Sequence, residues 1–141
     1  MSTRLIDSLV TTPALAAAFD DEAYVGAMVA FECGLARAQA RAGVIPAAAA
    51  EAIVRAADEA SFDVRELARE SRAHATVALP FVQALTARVE DVDRAAAAYV
   101  HRGATSHDVI DTALVLSVRR AWTSIAADHR RIAQGLRRLS D

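Results

Sequence analysis

The feature that most restricts the fold is a long, unbroken helical pattern towards the C-terminus. From residue 106 to 139 there is no proline, and the only glycine, Gly135, lies close to the end. Apolar residues recur there every three or four positions, as on one face of an α-helix. They are Ile110, Leu114, Val118, Ala121 and Ile125. Such a helix is on the order of 50 Å long, which exceeds the width of a compact domain of this size. Part of it must therefore extend beyond its own domain and needs another surface to cover it.

The composition also favours helices. The 141 residues are 54% hydrophobic but only 5% aromatic, and alanine supplies much of the hydrophobic count in runs such as 47–50 and 95–98. Alanine is the best helix former, whereas the aromatic residues that favour strands are few. We therefore expect an all-α fold, and the chain is long enough to bury a substantial core.

Residues that typically begin or end helices divide the first part of the chain into two predicted helices. Asp20 and the two acidic residues after it are typical of a helix start, and Gly43 is suited to a left-handed cap at the end of that helix. Pro46 can occupy the first turn of a second helix, which runs to about Ala60. The short link predicts that these helices form an antiparallel pair.

The middle of the chain is predicted to contain shorter segments. A helix is expected over about 63–71, followed by an irregular stretch over 72–76. Pro80 can lie in the first turn of the next helix, because proline is tolerated there. Phe81, Leu85 and Val89 are spaced four apart and should share its buried face. An alanine-rich segment over 93–100 then leads to the long helix.

Charge and cysteine content exclude several classes of protein. A formal net charge of -2 is unlike the concentrated basic surface that nucleic acid requires, so we expect no nucleic-acid partner. The single Cys33 cannot form an intramolecular disulfide, and its helical surroundings predict a buried structural residue. No apolar run approaches the roughly 18 residues of a membrane span. We predict a cytoplasmic protein without a membrane partner.

The densest group of polar residues lies just before the long helix, over 99–108. Gly103 permits a tight turn there, and Thr105 or Ser106 can cap the first turn, with Asp108 in a capping-box position. A helix cap alone would explain these residues. However, a helix N-terminus attracts anions, and His101 and Arg102 lie in the same loop. Together these groups predict a carboxylate-binding corner.

The residues of this segment resemble a known family. Residues 101–113 read HRGATSHDVIDTA, which is similar to the second signature region of the fumarase/aspartase superfamily. Within it, the segment most resembles the branch of 3-carboxy-cis,cis-muconate cycloisomerases. The resemblance extends back through FECGLARAQ at 31–39, AGVIP at 42–46 and ALT at 84–86. It covers nearly the whole chain.

The resemblance implies an architecture and an activity. Residues 1–100 would form an N-terminal helical domain, and 101–141 the signature loop and the first long helix of a central bundle. The family's mobile serine loop would lie downstream, so this chain corresponds to roughly the first third of an enzyme and should be inactive alone. The enzyme would be a homotetramer with active sites shared among chains, and it would use no cofactor. Its branch lactonises a tricarboxylate muconate during protocatechuate degradation in the β-ketoadipate pathway.

The resemblance also implies roles for individual residues. Thr105 and Ser106 would bind a carboxylate of a small substrate, with Arg102 and His107 beside them. His101 would be catalytic by orienting or polarising that carboxylate. A second catalytic histidine is expected at His74, where related lyases of the superfamily place one. The family usually has glutamine at the position of His107, so contacts next to Thr-Ser are expected to differ.

Other interpretations stay open at this point. Another lyase of the superfamily, such as adenylosuccinate lyase, would give His74 more weight. A helical module that only oligomerises would have the same long apolar stripe. A metal pair formed by His107 and Asp111, four apart on a helix, would lack a third ligand, so we predict no metal site.

Overall fold

The computed structural model describes residues 7–140, and every regular element in that range is helical. The α-helices are α1 (Asp7–Val10), α2 (Pro13–Ala17), α3 (Asp21–Arg41), α4 (Ala47–Glu59), α5 (Val64–His74), α6 (Ala78–Val92) and α7 (Ser106–Ser140). A 3₁₀ helix (Ala96–Tyr99) lies between α6 and α7. The prediction of an all-α fold is confirmed.

The predicted boundaries of α3 are confirmed by its caps. The Asp20 carboxylate accepts a hydrogen bond from the Ala23 amide at 2.7 Å. At the other end Gly43 has a φ of 70°, and the Val44 amide donates to the Gln39 carbonyl at 2.8 Å. This pattern is a Schellman motif, in which a left-handed glycine satisfies carbonyls at the helix end. The motif turns the chain back so that α4 packs along α3.

The core lies where α3, α4, α6 and the first half of α7 meet. Phe81, Leu85 and Val89 of α6 are fully buried, as their spacing predicts. Met28 of α3 and Ile53 of α4 are buried with them, and many small alanines let the helices approach closely. Cys33 is buried, as expected, and the burial raises the pKa of its thiol. Cys33 is therefore a packing residue of the core.

Two local expectations differ from the structure. No helix is predicted before Asp20, yet α2 begins at Pro13, with the Thr12 hydroxyl accepting from the Leu15 amide at 3.3 Å. In addition, α5 continues to His74 instead of ending near residue 71, and Ala75 is left-handed with a φ of 52°. His74 is thus the last residue of a helix and not part of an irregular connection.

The long helix α7 has 35 residues, or about 52 Å at 1.5 Å per residue. Its buried residues are Val109, Ala113, Ser117 and Ala121, all in the first half, where α7 packs against α3. Beyond them the helix is mostly exposed. The predicted overhang is therefore present.

A second stripe of apolar side chains on α7 is exposed. Its members repeat at spacings of three, four and seven, and they lie beside the buried stripe on the same helix. They are Leu114, Val118, Trp122, Ile125, Ile132, Leu136 and Leu139. We call this set the outer stripe of α7.

Over residues 7–140, no helix has the length and hydropathy needed to cross a bilayer.

Candidate functional site

A tight loop connects the 3₁₀ helix to α7 and carries most of the predicted site residues. His101 and Gly103 both have left-handed backbone conformations, with φ of 55° and 70°. The Ala104 amide donates to the His101 carbonyl at 3.3 Å, which closes the turn. Glycine adopts this conformation freely, whereas a histidine there needs support from its surroundings.

That support comes from Glu32 on α3. The Glu32 carboxylate lies 2.6 Å from Nδ1 of His101, and the two residues are 69 positions apart in the chain. The side chain of Glu32 is 1% exposed and that of His101 is 16% exposed. The Phe31 ring lies at 6.4 Å from the imidazole, measured between centroids. His101 is thus held by a buried ionisable partner.

Burial raises the pKa of Glu32 above its usual range, and the hydrogen bond and charge of His101 oppose that rise only in part. The folded protein therefore binds the Glu32 proton more tightly than the unfolded chain does. The stabilisation that results is complete below the ordinary pKa of about 4.5, and it is lost as pH rises through the higher folded value.

This linkage predicts a pH-dependent effect of Glu32→Gln, which cannot ionise. We expect the variant to gain stability relative to wild type as pH rises above about 4.5, by at most about 1.4 kcal/mol per pH unit for one proton. Thermal unfolding midpoints of both proteins between pH 4 and 8 would measure the difference. A difference between the two that is constant with pH would contradict the raised pKa.

A second side chain of α3 holds the same loop. Gln39 donates from Nε2 to the backbone carbonyl of Arg102 at 2.6 Å. Glu32 and Gln39 are seven residues apart, and so they lie on one face of α3, two turns from each other. The Arg102 guanidinium is exposed and lies over the Tyr99 ring, 5.3 Å from its centroid. The α3 helix therefore holds the side chain of His101 and the backbone of Arg102.

The start of α7 resembles the predicted capping box, with one difference. The Thr105 amide donates to the Asp108 carboxylate at 2.7 Å, and the Thr105 hydroxyl donates to the same oxygen at 3.1 Å. These hydrogen bonds hold the pKa of Asp108 below its usual range. The hydroxyl thus binds the acid instead of capping an amide. Within residues 7–140, the Ser106 hydroxyl has no hydrogen-bond partner.

The structure brings five of the six predicted site residues together, because they belong to one short segment. Arg102, Thr105 and His107 are exposed, Ser106 is half-buried and His101 is largely covered. The loop and the first turn of α7 thus present most of these residues at the surface. His74 is exposed at the end of α5, which packs on α6 and α3, and no hydrogen bond in the described range joins it to the loop.

Glu32 is the residue that sequence reasoning missed. It was noted only within the family resemblance, although a usable signal was present. It is the one acid in an apolar stretch, four residues after Met28 and four before Ala36, and so it lies on the buried face of α3. A carboxylate on a buried face requires a partner.

Among residues 7–140, no three His, Cys, Asp or Glu side chains are grouped to hold a metal ion.

Comparison with known proteins places the chain among lyases. The sequence model of the family described as Lyase matches residues 8–141. Nitrosuccinate lyase from Streptomyces davaonensis is 49% identical over an alignment of 141 positions, which covers 96% of this chain and 30% of that protein. The 3-carboxy-cis,cis-muconate cycloisomerase of Bradyrhizobium diazoefficiens is 44% identical over 136 residues, again 96% of this chain and 30% of that protein.

A solved structure has the same fold. The crystal structure of the 3-carboxy-cis,cis-muconate lactonizing enzyme from Pseudomonas putida matches with a TM-score of 0.81 and 40% identity, over 88% of this chain and 28% of that one. The predicted likeness to the fumarase/aspartase superfamily is confirmed. The chain spans about 30% of the length of the curated relatives it matches.

Proposed function

Because the chain belongs to the lyase family of the fumarase/aspartase superfamily, we propose that it is the N-terminal part of a 3-carboxy-cis,cis-muconate cycloisomerase. The observation that carries the proposal is a superfamily fold in which Arg102, Ser106 and His107 lie together at the start of α7. The complete enzyme lactonises a tricarboxylate muconate in the β-ketoadipate pathway of protocatechuate degradation. Relatives named for this reaction are 44% and 40% identical to the chain.

The chemistry requires groups that hold negative charge. One carboxylate oxygen of the muconate bonds to an alkene carbon, and the neighbouring carbon accepts a proton. Charge develops on a second carboxylate that is conjugated with the alkene, so donors placed at that carboxylate lower the barrier. Ser106 and the first amides of α7 supply such donors, with Arg102 and His107 beside them. The Thr105 hydroxyl supplies another when the substrate carboxylate replaces Asp108 as its acceptor. The bonds rearrange within one molecule, so no cofactor is consumed.

The histidines have separate roles in this proposal. His101 donates from Nε2 to the substrate carboxylate and polarises it in the imidazolium form, in which both ring nitrogens carry a proton, since Nδ1 is engaged by Glu32. His74 is proposed to reach the site only in the assembled enzyme, because it lies at the end of a different helix. In the complete enzyme, the group that donates the proton to carbon and the remaining walls would come from outside residues 1–141 and from neighbouring subunits.

The corner needs other surfaces, which the proposed assembly supplies. Residues 1–100 form the N-terminal domain in this proposal, and 101–141 open a central bundle shared by four subunits of a cytoplasmic enzyme. The exposed outer stripe of α7 supports a shared bundle, since an apolar stripe at this spacing packs against other helices. Three chains would contribute to each active site.

The direct experiment is a turnover assay of the complete protein on 3-carboxy-cis,cis-muconate. We expect loss of the conjugated diene absorbance and appearance of a lactone by mass spectrometry. Adenylosuccinate serves as the comparison substrate. Turnover of adenylosuccinate alone would overturn the proposal within the superfamily, and a purified oligomer that turns over neither substrate would favour a non-catalytic module.

One observation favours a second candidate in the same superfamily. The nitrosuccinate lyase is 49% identical to this chain over nearly its full length. Both substrates carry carboxylates that the corner of α7 can bind. Competition between nitrosuccinate and 3-carboxymuconate for the complete protein would rank the two by kcat/KM.

Ser106→Ala tests the role of the corner in binding. We expect a loss of one charge-assisted hydrogen bond, worth about 1.5–3 kcal/mol, which raises KM by about 10- to 150-fold. Steady-state kinetics of the complete protein would measure it. A change in melting temperature with both kinetic constants intact would show that Ser106 only begins the helix.

A further inference from the structure

We propose that Glu32 is the positioning residue for His101, an inference that rests on the proposed role of His101 at the substrate carboxylate. Glu32 is 1% exposed and lies 2.6 Å from Nδ1 of His101. Removing a carboxylate from water costs free energy, so a buried carboxylate needs a hydrogen-bonding or oppositely charged partner. The imidazole is that partner.

The contact decides which ring nitrogen is available to a substrate. When Glu32 is ionised, its carboxylate only accepts hydrogen bonds, and Nδ1 of His101 then carries the proton that is shared in the pair. Nε2 is then the one ring nitrogen left to act outside the protein. The pair therefore fixes both the orientation of the imidazole and the atom it presents.

The same contact stabilises an unfavourable backbone. His101 has a φ of 55°, in the left-handed region that non-glycine residues seldom adopt. Such conformations persist when the surrounding structure holds them. The bond to Glu32 anchors the side chain at this position, and the next residue is anchored by the bond from Gln39 to the Arg102 carbonyl.

The anchor itself is rigid. Glu32 lies in the middle of the 21-residue helix α3, which packs against α4 on one side and α7 on another. The side-chain amide oxygen Oε1 of Gln39, two turns later, is buried without a hydrogen-bond partner in the described part of the chain. Both anchors of the loop thus belong to one face of one helix, and that face positions the loop.

The test is a double-mutant cycle in the complete protein. Glu32→Gln keeps an acceptor for Nδ1, whereas Glu32→Leu removes it with little change in size. We expect Glu32→Leu to lower kcat/KM by about 10- to 150-fold, and Glu32→Gln to retain most of the activity of wild type. Adding Glu32→Leu to His101→Asn should cause no further loss, because the two residues act as a unit.

A structural role alone predicts a different result. The proposal would be overturned if the fold-losses in kcat/KM of the two single variants multiplied in the double variant. Equal kinetic constants for Glu32→Leu and wild type would also overturn it. Ser117→Ala is the matched control, since Ser117 is also fully buried and bonds to the Ala113 carbonyl at 3.0 Å, away from the loop. It should leave kcat/KM within about twofold of wild type.

Crystal structures of the same variants test the positioning without a substrate. In Glu32→Leu we expect the imidazole of His101 to leave its place and the loop over 101–104 to shift, and in Glu32→Gln we expect both to be kept. An unmoved imidazole in Glu32→Leu would overturn the inference. If the imidazole moves as expected but His101→Asn has wild-type kinetics on every substrate tested, the proposed function fails and the positioning stands.

Discussion

His101→Ala in the complete protein is expected to lower kcat/KM for 3-carboxy-cis,cis-muconate by about 10²- to 10³-fold, the cost of removing one donor aimed at developing charge. His101 is held by Glu32 through Nδ1, and only its Nε2 remains to polarise the substrate. Because this interaction strengthens as charge develops, we expect most of the loss to appear in kcat.

Two further variants separate chemistry from backbone strain. Alanine is disfavoured at the φ of 55° found at this position, whereas asparagine tolerates it better. His101→Asn should therefore melt closer to wild type and still lose activity. His129→Ala removes an exposed histidine of α7 and should leave kcat/KM unchanged. Wild-type kinetics for His101→Asn would exclude His101 from the reaction.

The double substitution Val118→Glu with Trp122→Glu is expected to break the assembly of the complete protein. Val118 is 50% exposed and Trp122 is 64% exposed, and both belong to the outer stripe of α7. In the proposed bundle they are buried by other helices, where an unpaired charge costs about 3–5 kcal/mol. Each such charge weakens a subunit contact by at least about 10²-fold.

Light scattering coupled to gel filtration at micromolar concentration would measure the result. We expect the wild type as a tetramer and the double variant as smaller or unfolded species. Thr123→Glu is the control, because residue 123 is exposed and lies about 100° further around the helix than Trp122. A double variant with the wild-type mass and melting temperature would show that the outer stripe is not buried in the complete protein.

Much of the fold could be predicted because its signals are local. Asp20 and Gly43 mark the ends of α3, and the structure shows the caps that these residue types form. Phe81, Leu85 and Val89 are buried because their spacing matches the helical period. By contrast, α2 was missed although Thr12 and Pro13 are typical of a helix start, since few apolar residues in it face a core.

The candidate site also has a part that could be predicted from the sequence and a part that could not. Arg102, Thr105, Ser106 and His107 are neighbours in the chain, so sequence alone places them at one helix start. His74 lies at the end of a different helix, and its role remains a prediction. Helix α5 continues to His74, into the stretch over 72–76 that was predicted to be irregular.

The sequence by itself determined the helices, their caps, the excess length of α7 and the polar segment before it, because each depends on residues within a few positions of one another. Only the tertiary structure decided that Glu32 meets His101 across 69 positions, and that Gln39 holds the next residue of the loop. The physical reason is that such pairs form when packing of α3 against its neighbours removes water from both partners. No local periodicity encodes which buried carboxylate will face which imidazole.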